Sequence, residues 1–302
     1  MAVRLQDGEA EMTIESLTMK PLCIYHGGCD DGFAAAWVVR KALKGNVEFY
    51  PGTYQKDPPP HAGRDIIMVD FSYKRPVLDE MAKHARSILI LDHHKTAQED
   101  LADIPAPASP GPWPWVPAPQ MITALFDMER SGATIAWDYF IGGLRPNFID
   151  YIEDRDLWRK RMGYGDEFTI ALRSYPQDFS TWDKLIDAGV DPLMQEGFAI
   201  QRYYRLRVEE LKRHAYQARI GEHHIWIANA PYFAASEVAG ELAERSGAAF
   251  GACYFEVEPG KFQYSLRSRG DFDVSAVARR YGGGGHKSAA GFSTRGVVHR
   301  HD

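Results

Sequence analysis

Short apolar stretches alternate with helical patterns along the first half of the chain, and this alternation constrains the fold more than any other feature. Residues 22–25, 66–70 and 87–92 are apolar runs of strand length. Residues 31–43 form an Ala-rich run with large side chains at helical spacing, and residues 76–86 give a second helical pattern. Strands that alternate with helices over short loops predict an α/β domain built on a parallel sheet.

The second half of the chain has a different order of elements. A helical pattern with many Arg and Lys side chains predicts an interdomain helix over residues 191–215. The patterns that follow it read strand, helix, strand, strand, helix, at residues 225–228, 237–245, 251–257, 262–267 and 274–281. This order predicts a smaller α+β domain that is separate from the parallel sheet.

The charge balance limits the class of ligand. The 302 residues include 35 Lys and Arg against 41 Asp and Glu, a formal net charge of -6. Proteins that hold long duplex nucleic acid by counterion release need the opposite sign, so we expect a small phosphate ligand and no long duplex. The chain shows neither an apolar run of membrane-spanning length nor a signal-peptide pattern, and Cys23, Cys29 and Cys253 have no paired spacing. We therefore expect a cytoplasmic protein with free thiols and no membrane contact.

Acidic and imidazole side chains follow three of the predicted strands. His26 comes directly after the first strand, Asp70 ends the second, and the third leads into Asp92, His93 and His94. Because ligands of a parallel sheet bind at the carboxyl ends of its strands, we expect these side chains to meet. Imidazole and carboxylate groups together suit Mn²⁺ or a similar divalent ion, and one carboxylate can bridge two ions. Asp70 is the candidate bridge.

A run of glycines near the end of the chain is the second candidate site. Four consecutive glycines are followed directly by His286. Glycine lets backbone amides approach a phosphate closely, whereas a flexible linker is the alternative interpretation. We interpret Gly283, Gly284, Gly285 and His286 as a substrate-binding loop. Arg267, at the end of a predicted strand, is a candidate for a bidentate phosphate contact.

Residues 104–120 are dense in proline and contain Trp113 and Trp115. This composition cannot continue a helix or a central strand, so it predicts a long surface loop. Two interpretations stay open: the tryptophans pack back onto the domain, or they form an aromatic wall over the site.

The motifs taken together resemble a known family. The Asp-His-His triplet at residues 92–94, Asp70 after a neighbouring strand and the terminal Gly-Gly-Gly-Gly-His are similar to the DHH phosphoesterases with an appended DHHA1 domain. The resemblance extends over residues 21–292. It implies an N-terminal parallel-sheet DHH domain with helices on both faces over residues 21–190, which binds the metals. It also implies a DHHA1 substrate-binding domain over residues 216–295.

The resemblance further implies two Mn²⁺ ions, with Mg²⁺ or another divalent ion as the alternative. The first-strand motif of the family, His-x-Asp-x-Asp-Gly, is altered here to His-Gly-Gly-Cys-Asp-Asp-Gly, with one extra residue and Cys29 in the place of an Asp. Three substitutes stay open: Asp30 takes over, Cys29 binds as a thiolate, or His26 and Asp70 hold that ion alone. The metal ligands carried over are His26, Asp30, Asp31, Asp70, His93 and Asp154.

The last ligand of the family is an Asp beyond the DHH strand. Asp154 and Asp156 are both candidates, with Asp154 preferred, and a salt bridge to a neighbouring arginine is the alternative for either. By the same resemblance, His94 faces the scissile phosphate and Asp92 orients the histidines, so both are catalytic candidates.

The implied activity is hydrolysis of phosphodiester or phosphomonoester bonds in small nucleotides by two-metal activation of water. Short oligonucleotides and nucleoside bisphosphates are the expected substrates, as in the nanoRNase-like and pAp-phosphatase-like members of the family. A cyclic mono- or dinucleotide phosphodiesterase is one alternative. A catalytically weakened phosphate-binding or regulatory protein is an alternative of another class. No protein partner is implied beyond a second copy of the chain in a homodimer, which stays open.

Overall fold

The computed structural model describes residues 19–107, 122–245 and 248–301. The chain divides into two compact units, Met1–Gly197 and Phe198–Asp302. Trp113 and Trp115, for which two interpretations are open, lie outside the described residues. Within the described part of the chain, none of the helices combines the length and apolarity that a bilayer crossing requires.

A parallel sheet forms the centre of the first unit. Its five described strands are β1 (Leu22–His26), β2 (Glu48–Gly52), β3 (Asp65–Val69), β4 (Ser87–Asp92) and β5 (Ile122–Phe126). They lie in the order β2-β1-β3-β4-β5, and every pairing is parallel. The predicted α/β class with a parallel sheet is confirmed. Sequence patterns do not predict β2, because it contains Pro51; at the edge of a sheet the missing N–H is tolerated.

Helices cover both faces of this sheet. The described helices of this unit are α1 (Asp30–Ala42), α2 (Arg75–Ala82), α3 (Lys95–Asp100), α4 (Gly132–Phe140), α5 (Asn147–Asp156), α6 (Gly165–Leu172) and α7 (Phe179–Ala188). On one face, alternate strand residues such as Ile24 and Met68 pack against Leu78 and Met81 of α2. On the other face, α1 and α4 contact each other and the central strands. The strands are buried on both sides, which explains their continuous apolar sequences.

The strand order places the site. From β1 the chain goes to one side to form β2 and then to the other side to form β3, so the order reverses between β1 and β3. In sheets of this order, ligands bind outside the carboxyl ends of the strands at the point of reversal. His26 ends β1, and Asp70 directly follows β3.

The second unit contains a mixed sheet. Helix α8 (Asp191–Lys212) crosses from the first unit into the second. The following elements are β6 (Tyr216–Ile220), β7 (His223–Asn229), α9 (Tyr232–Leu242), β8 (Gly251–Glu258), β9 (Lys261–Arg267), α10 (Val274–Arg279), β10 (Gly284–Gly285), β11 (Ala289–Arg295) and β12 (Arg300–His301). The described strands lie in the order β10-β11-β9-β8-β7-β6-β12, with β7 and β8 parallel and the other pairs antiparallel. This is the separate α+β architecture that the sequence predicts, although the functional bounds 21–190 and 216–295 remain a proposal.

Candidate metal centre

Strand ends and helix starts of the first unit bring acidic and imidazole side chains into two groups. One group consists of Asp31, Asp70 and His93, and the other of His26, Asp70 and His94. Within each group the ligand atoms lie within 4.8 Å of one another. Asp70 belongs to both groups. Two clusters of nitrogen and oxygen donors that share a carboxylate can hold two divalent ions side by side.

The Asp70 carboxylate is oriented with an oxygen toward a histidine of each group. Its Oδ1 lies 2.9 Å from His93 Nε2, and its Oδ2 lies 3.4 Å from His26 Nδ1. The side chain is 1% exposed, and the backbone is held at φ 53°, in the left-handed region that costs energy for a residue with a Cβ. A strained backbone that aims a buried carboxylate at two groups is typical of a functional site.

Asp31 and Asp156 complete the surroundings of His93. The Asp31 carboxylate accepts hydrogen bonds from Gly132 N at 2.6 Å and Ala133 N at 3.0 Å, which are the first amides of α4. His93 Nε2 lies 3.6 Å from Asp31 Oδ2 and 3.4 Å from Asp156 Oδ2. Three carboxylates therefore surround a single imidazole nitrogen.

The proximity of these charges shifts the pKa values of the cluster. Burial and the charges of Asp70 and Asp156 raise the pKa of the Asp31 carboxyl well above its usual value. Burial also opposes ionisation of Asp70, yet the facing His26 and His93 hold its pKa well below the usual value. Burial disfavours a charged His93, but the hydrogen bond to Asp70 and the neighbouring carboxylates raise its pKa to about 10. The carboxylates of the cluster therefore stabilise a positive charge that lies between them.

Metal uptake should therefore release protons. A ligating histidine is neutral, whereas the raised pKa keeps His93 protonated until the pH approaches about 10. Below that pH, we expect Mn²⁺ affinity to rise at least about tenfold per pH unit and binding to release at least about one proton per protein, from His93 and, where its raised pKa keeps it protonated, from Asp31. Calorimetry near neutral pH, in buffers with different ionisation enthalpies, measures the proton count. Binding without proton release would contradict the placement of His93 at the metal.

Unsatisfied polar atoms test whether the site fits a divalent cation. His26 Nδ1, Asp70 Oδ2 and Asp156 Oδ2 are buried, and no described residue hydrogen-bonds to them. A buried polar atom without a partner typically costs about 1–3 kcal/mol, so three at one place require a reason. Carboxylate oxygens and imidazole nitrogens are donors that suit Mn²⁺. The donor set therefore fits divalent cations, although it does not fix which ion binds.

Asp92 holds the turn that carries both histidines. Its Oδ1 accepts from His93 N at 2.8 Å and His94 N at 3.3 Å, and it lies 2.7 Å from His94 Nδ1. Burial opposes a charge on His94, but the Asp92 carboxylate raises the pKa of the imidazole above its usual value. Asp92 thus fixes the direction of the ring and favours its charged form.

The altered first-strand motif places its residues differently from the expectation. Asp30, carried over as a ligand, pairs with Arg173, whose Nε lies 2.6 Å from Asp30 Oδ2, and it belongs to neither described group. Burial and the charges of Asp70 and Asp156 raise the pKa of the Cys29 thiol well above its usual value. The thiol lies within the field of the acidic cluster, but it too is outside both groups.

The structure brings Asp156, and not the preferred Asp154, to His93. The Asp154 carboxylate accepts from Arg161 N at 2.9 Å and Met162 N at 3.1 Å, so it shapes the loop after α5. Both residues lie on α5, two positions apart. Side chains two positions apart on a helix point in different directions, and only one of them can face the cluster.

Gly132 allows α4 to approach the cluster. A Cβ at this position would lie 2.5 Å from Asp70 Cβ and 3.0 Å from Asp31 Oδ2. No ordinary contact is that short, so any side chain here must displace the helix start or Asp70. The glycine is therefore required for the position of both carboxylates.

We expect Gly132→Ala to lower the free energy of unfolding by about 1–3 kcal/mol, the usual effect of overpacking, and to weaken Mn²⁺ binding. Gly165→Ala is the matched control, because Gly165 also begins a helix and its added Cβ would meet nothing closer than 3.9 Å. Urea unfolding and metal titration measure both quantities. Equal behaviour of the two variants would contradict the steric argument.

The glycine run of the second unit has a packing role. Gly284 and Gly285 form β10 and pair with β11. A Cβ on Gly283 would lie 2.1 Å from Gly291 O. The amide of Gly283 donates to Ala278 O at 3.0 Å, and that of His286 to Ala289 O at 2.8 Å. The fold therefore uses the amides of Gly283 and His286, and the substrate-binding loop stays a prediction.

Arg267, which we predict to contact a phosphate, makes hydrogen bonds within the second unit. Arg267 donates from Nη1 to Leu266 O at 2.8 Å and from Nη2 to Ser236 Oγ. Phosphate binding by Arg267, His286 and the glycine loop remains a proposal.

Tyr54 also lies at the metal centre, although the sequence does not predict it there. Its ring centroid lies 5.3 Å from that of His26 and 6.1 Å from that of His94. Tyr54 lies in an irregular loop after β2, where no periodic pattern or motif marks it. The pairing of Gly52 with His26 at the sheet edge brings this loop to the site.

Comparison with known proteins identifies part of the chain. Residues 226–298 match the DHHA1 domain. An uncharacterized protein of Acanthamoeba polyphaga mimivirus is 29% identical over 299 residues, which cover 91% of this chain and 67% of that protein.

Solved structures with a similar chain path include a pGpG-specific phosphodiesterase, PggH, from Vibrio cholerae, at 12% identity and a TM-score of 0.41, covering 91% of this chain and 94% of that one. The exonuclease RecJ bound to manganese is 16% identical, with a TM-score of 0.48 and coverage of 92% and 86%. The resemblance to DHH phosphoesterases with an appended DHHA1 domain is confirmed in its C-terminal part, where residues 226–298 match the DHHA1 domain.

Proposed function

We propose that this chain is a divalent-metal-dependent phosphoesterase that hydrolyses phosphodiester or phosphomonoester bonds of small nucleotides. The observation that carries the proposal is the buried Asp70 carboxylate, shared by two groups of donor atoms and aimed at a histidine of each. A shared carboxylate is the usual bridge in two-metal hydrolytic sites. The DHHA1 domain and the net charge of -6 support a small phosphate-bearing substrate.

The residues that would hold the cations follow from the two groups. Asp31, Asp70 and His93 would hold one ion, with Asp156 beside them, and His26 and Asp70 would hold the other. Bound cations supply a water of lowered pKa and neutralise charge on the phosphoryl oxygens. Mn²⁺ is the ion that we propose, with Mg²⁺ as the alternative.

The chain's own groups act on the phosphate through charge and position. Asp92 orients the His94 ring and favours its charged form, so His94 can donate a hydrogen bond to the phosphoryl group as negative charge develops on it. The amides of α4 hold Asp31 in place, so its carboxylate needs no reorganisation when the substrate binds. Within the second unit, Arg267, His286 and the glycine loop are the groups that we propose for phosphate binding.

A second candidate function is a phosphate-ligand binding protein with weak or no turnover. One observation favours it: the His26 group contains a single carboxylate, Asp70, because Asp30 pairs with Arg173. A cation held by one carboxylate and the imidazole of His26 binds less tightly than one held by several carboxylates. Loss of that ion would leave ligand binding without efficient hydrolysis.

Metal content and a substrate panel distinguish the two functions. The full chain, freed of metal with a chelator, is titrated with Mn²⁺ and assayed on a dinucleotide, a cyclic mononucleotide, a cyclic dinucleotide and a nucleoside bisphosphate. We expect two Mn²⁺ per chain and release of a mononucleotide or of inorganic phosphate. One ion or none, with ligand binding and no product, would contradict the phosphoesterase and establish the binding protein.

A further inference from the structure

Tyr54 combines exposure with contacts to the metal centre. Its side chain is 45% exposed, and the loop that carries it starts at the carboxyl end of β2, where Gly52 pairs with His26. A single exposed aromatic residue is ordinary on a protein surface. The Tyr54 ring, however, contacts His26 at the end of β1 and His94 after β4. These two contacts place the ring at the metal centre.

The ring of Tyr54 is supported on one side. Its centroid lies 4.9 Å from that of Phe71, at an interplanar angle of 35°. Phe71 is fully buried and directly follows the bridging candidate Asp70. Phe71 in turn packs against Tyr73, with centroids 4.9 Å apart. The exposed part of Tyr54 is thus held by a buried aromatic cluster, which limits the conformational entropy lost when a ligand stacks on it.

The ring also lies beside the second group of metal-binding candidates. It meets His26 edge-on at 64° and His94 edge-on at 75°. The exposed ring thus lies close to the two histidines at which we propose that the substrate phosphate binds.

We propose that Tyr54 is a substrate-binding residue whose ring stacks on the nucleobase adjacent to the phosphate that is cleaved. The inference rests on the proposed function and narrows it to substrates with an aromatic base at that position. Stacking on an aromatic ring tolerates any base, because every base has a π-face. The residue therefore favours nucleotides over inorganic polyphosphates or sugar phosphates without selecting one base.

The test compares Tyr54→Leu with Tyr54→Phe on two substrates. One is a dinucleotide, and the other is the same dinucleotide with the base next to the scissile phosphate replaced by hydrogen. For the dinucleotide, we expect Tyr54→Leu to raise KM about tenfold or more with kcat little changed, and Tyr54→Phe to keep the wild-type KM. For the abasic substrate, the three proteins should have equal KM values. An equal loss on both substrates, or a loss in Tyr54→Phe as large as in Tyr54→Leu, would overturn the stacking role.

Two controls separate this inference from the proposed function and from a structural role. Mn²⁺ affinity is measured for each variant, and a weakened metal site in Tyr54→Leu would also overturn the proposal. Dissociation constants for both dinucleotides are measured in Ca²⁺, without turnover. If the wild-type protein binds but never hydrolyses, the phosphoesterase fails, whereas the ratio of the dissociation constants still decides whether Tyr54 stacks on the base.

Discussion

Asp70→Asn is expected to abolish hydrolysis and leave the fold intact. Loss of a group that merely supports a metal ligand typically costs about 10–100-fold in affinity or activity, so loss of a ligand shared by two ions should cost more than about 100-fold. The amide keeps the shape of the side chain but removes the negative charge that faces His26 and His93. We expect kcat to fall below detection and Mn²⁺ binding to weaken at both sites together.

Asp127→Asn is the matched control for this variant. Asp127 also follows a strand of the same sheet, β5, but its carboxylate pairs with Arg130 at 2.7 Å and accepts from Glu129 N at 2.8 Å. It is expected to retain activity. Circular dichroism and urea unfolding establish that both variants fold. A folded Asp70→Asn protein with near-normal turnover would rule out the bridging role.

The strand ends of the first unit were predictable because they depend on a strong and local signal. Continuous apolar runs mark β1, β3 and β4, and parallel topology places their carboxyl ends at one edge. These facts predict that His26, Asp70 and His93 lie close together. The structure agrees, with Asp70 within 3.4 Å of both histidines.

Other parts of the site depend on information that a single sequence does not carry. The choice between Asp154 and Asp156 depends on the rotation of α5 about its own axis, which tertiary packing fixes. The Asp30 carboxylate pairs with Arg173, which lies 143 positions further along the chain. Tyr54 reaches the site through an edge strand that contains a proline and gives no clear strand pattern. Each of these differences between expectation and structure concerns long-range packing rather than residue chemistry.

Asp154→Asn and Asp156→Asn are expected to have opposite effects. Asp154 accepts from the amides of Arg161 and Met162, and an amide side chain can satisfy these donors only in part. We expect its replacement to lower the free energy of unfolding by about 1–3 kcal/mol, as for hydrogen bonds to a charged group. Mn²⁺ affinity of the folded Asp154→Asn protein should stay close to that of the wild type.

Asp156→Asn should instead leave the stability of the metal-free protein unchanged or higher. Burial raises the pKa of the Asp156 carboxyl, and the charge of Asp70 adds to the effect, so the ionised form opposes folding when no cation is present. A neutral amide removes that repulsion, but it also removes a negative charge 3.4 Å from His93 Nε2. We expect Mn²⁺ affinity and kcat/KM to fall by about 10-fold or more. Thermal unfolding with and without Mn²⁺ measures both effects: the cation should raise Tm strongly in Asp154→Asn and weakly in Asp156→Asn. The reverse order would restore Asp154 as the ligand and would require a different rotation of α5.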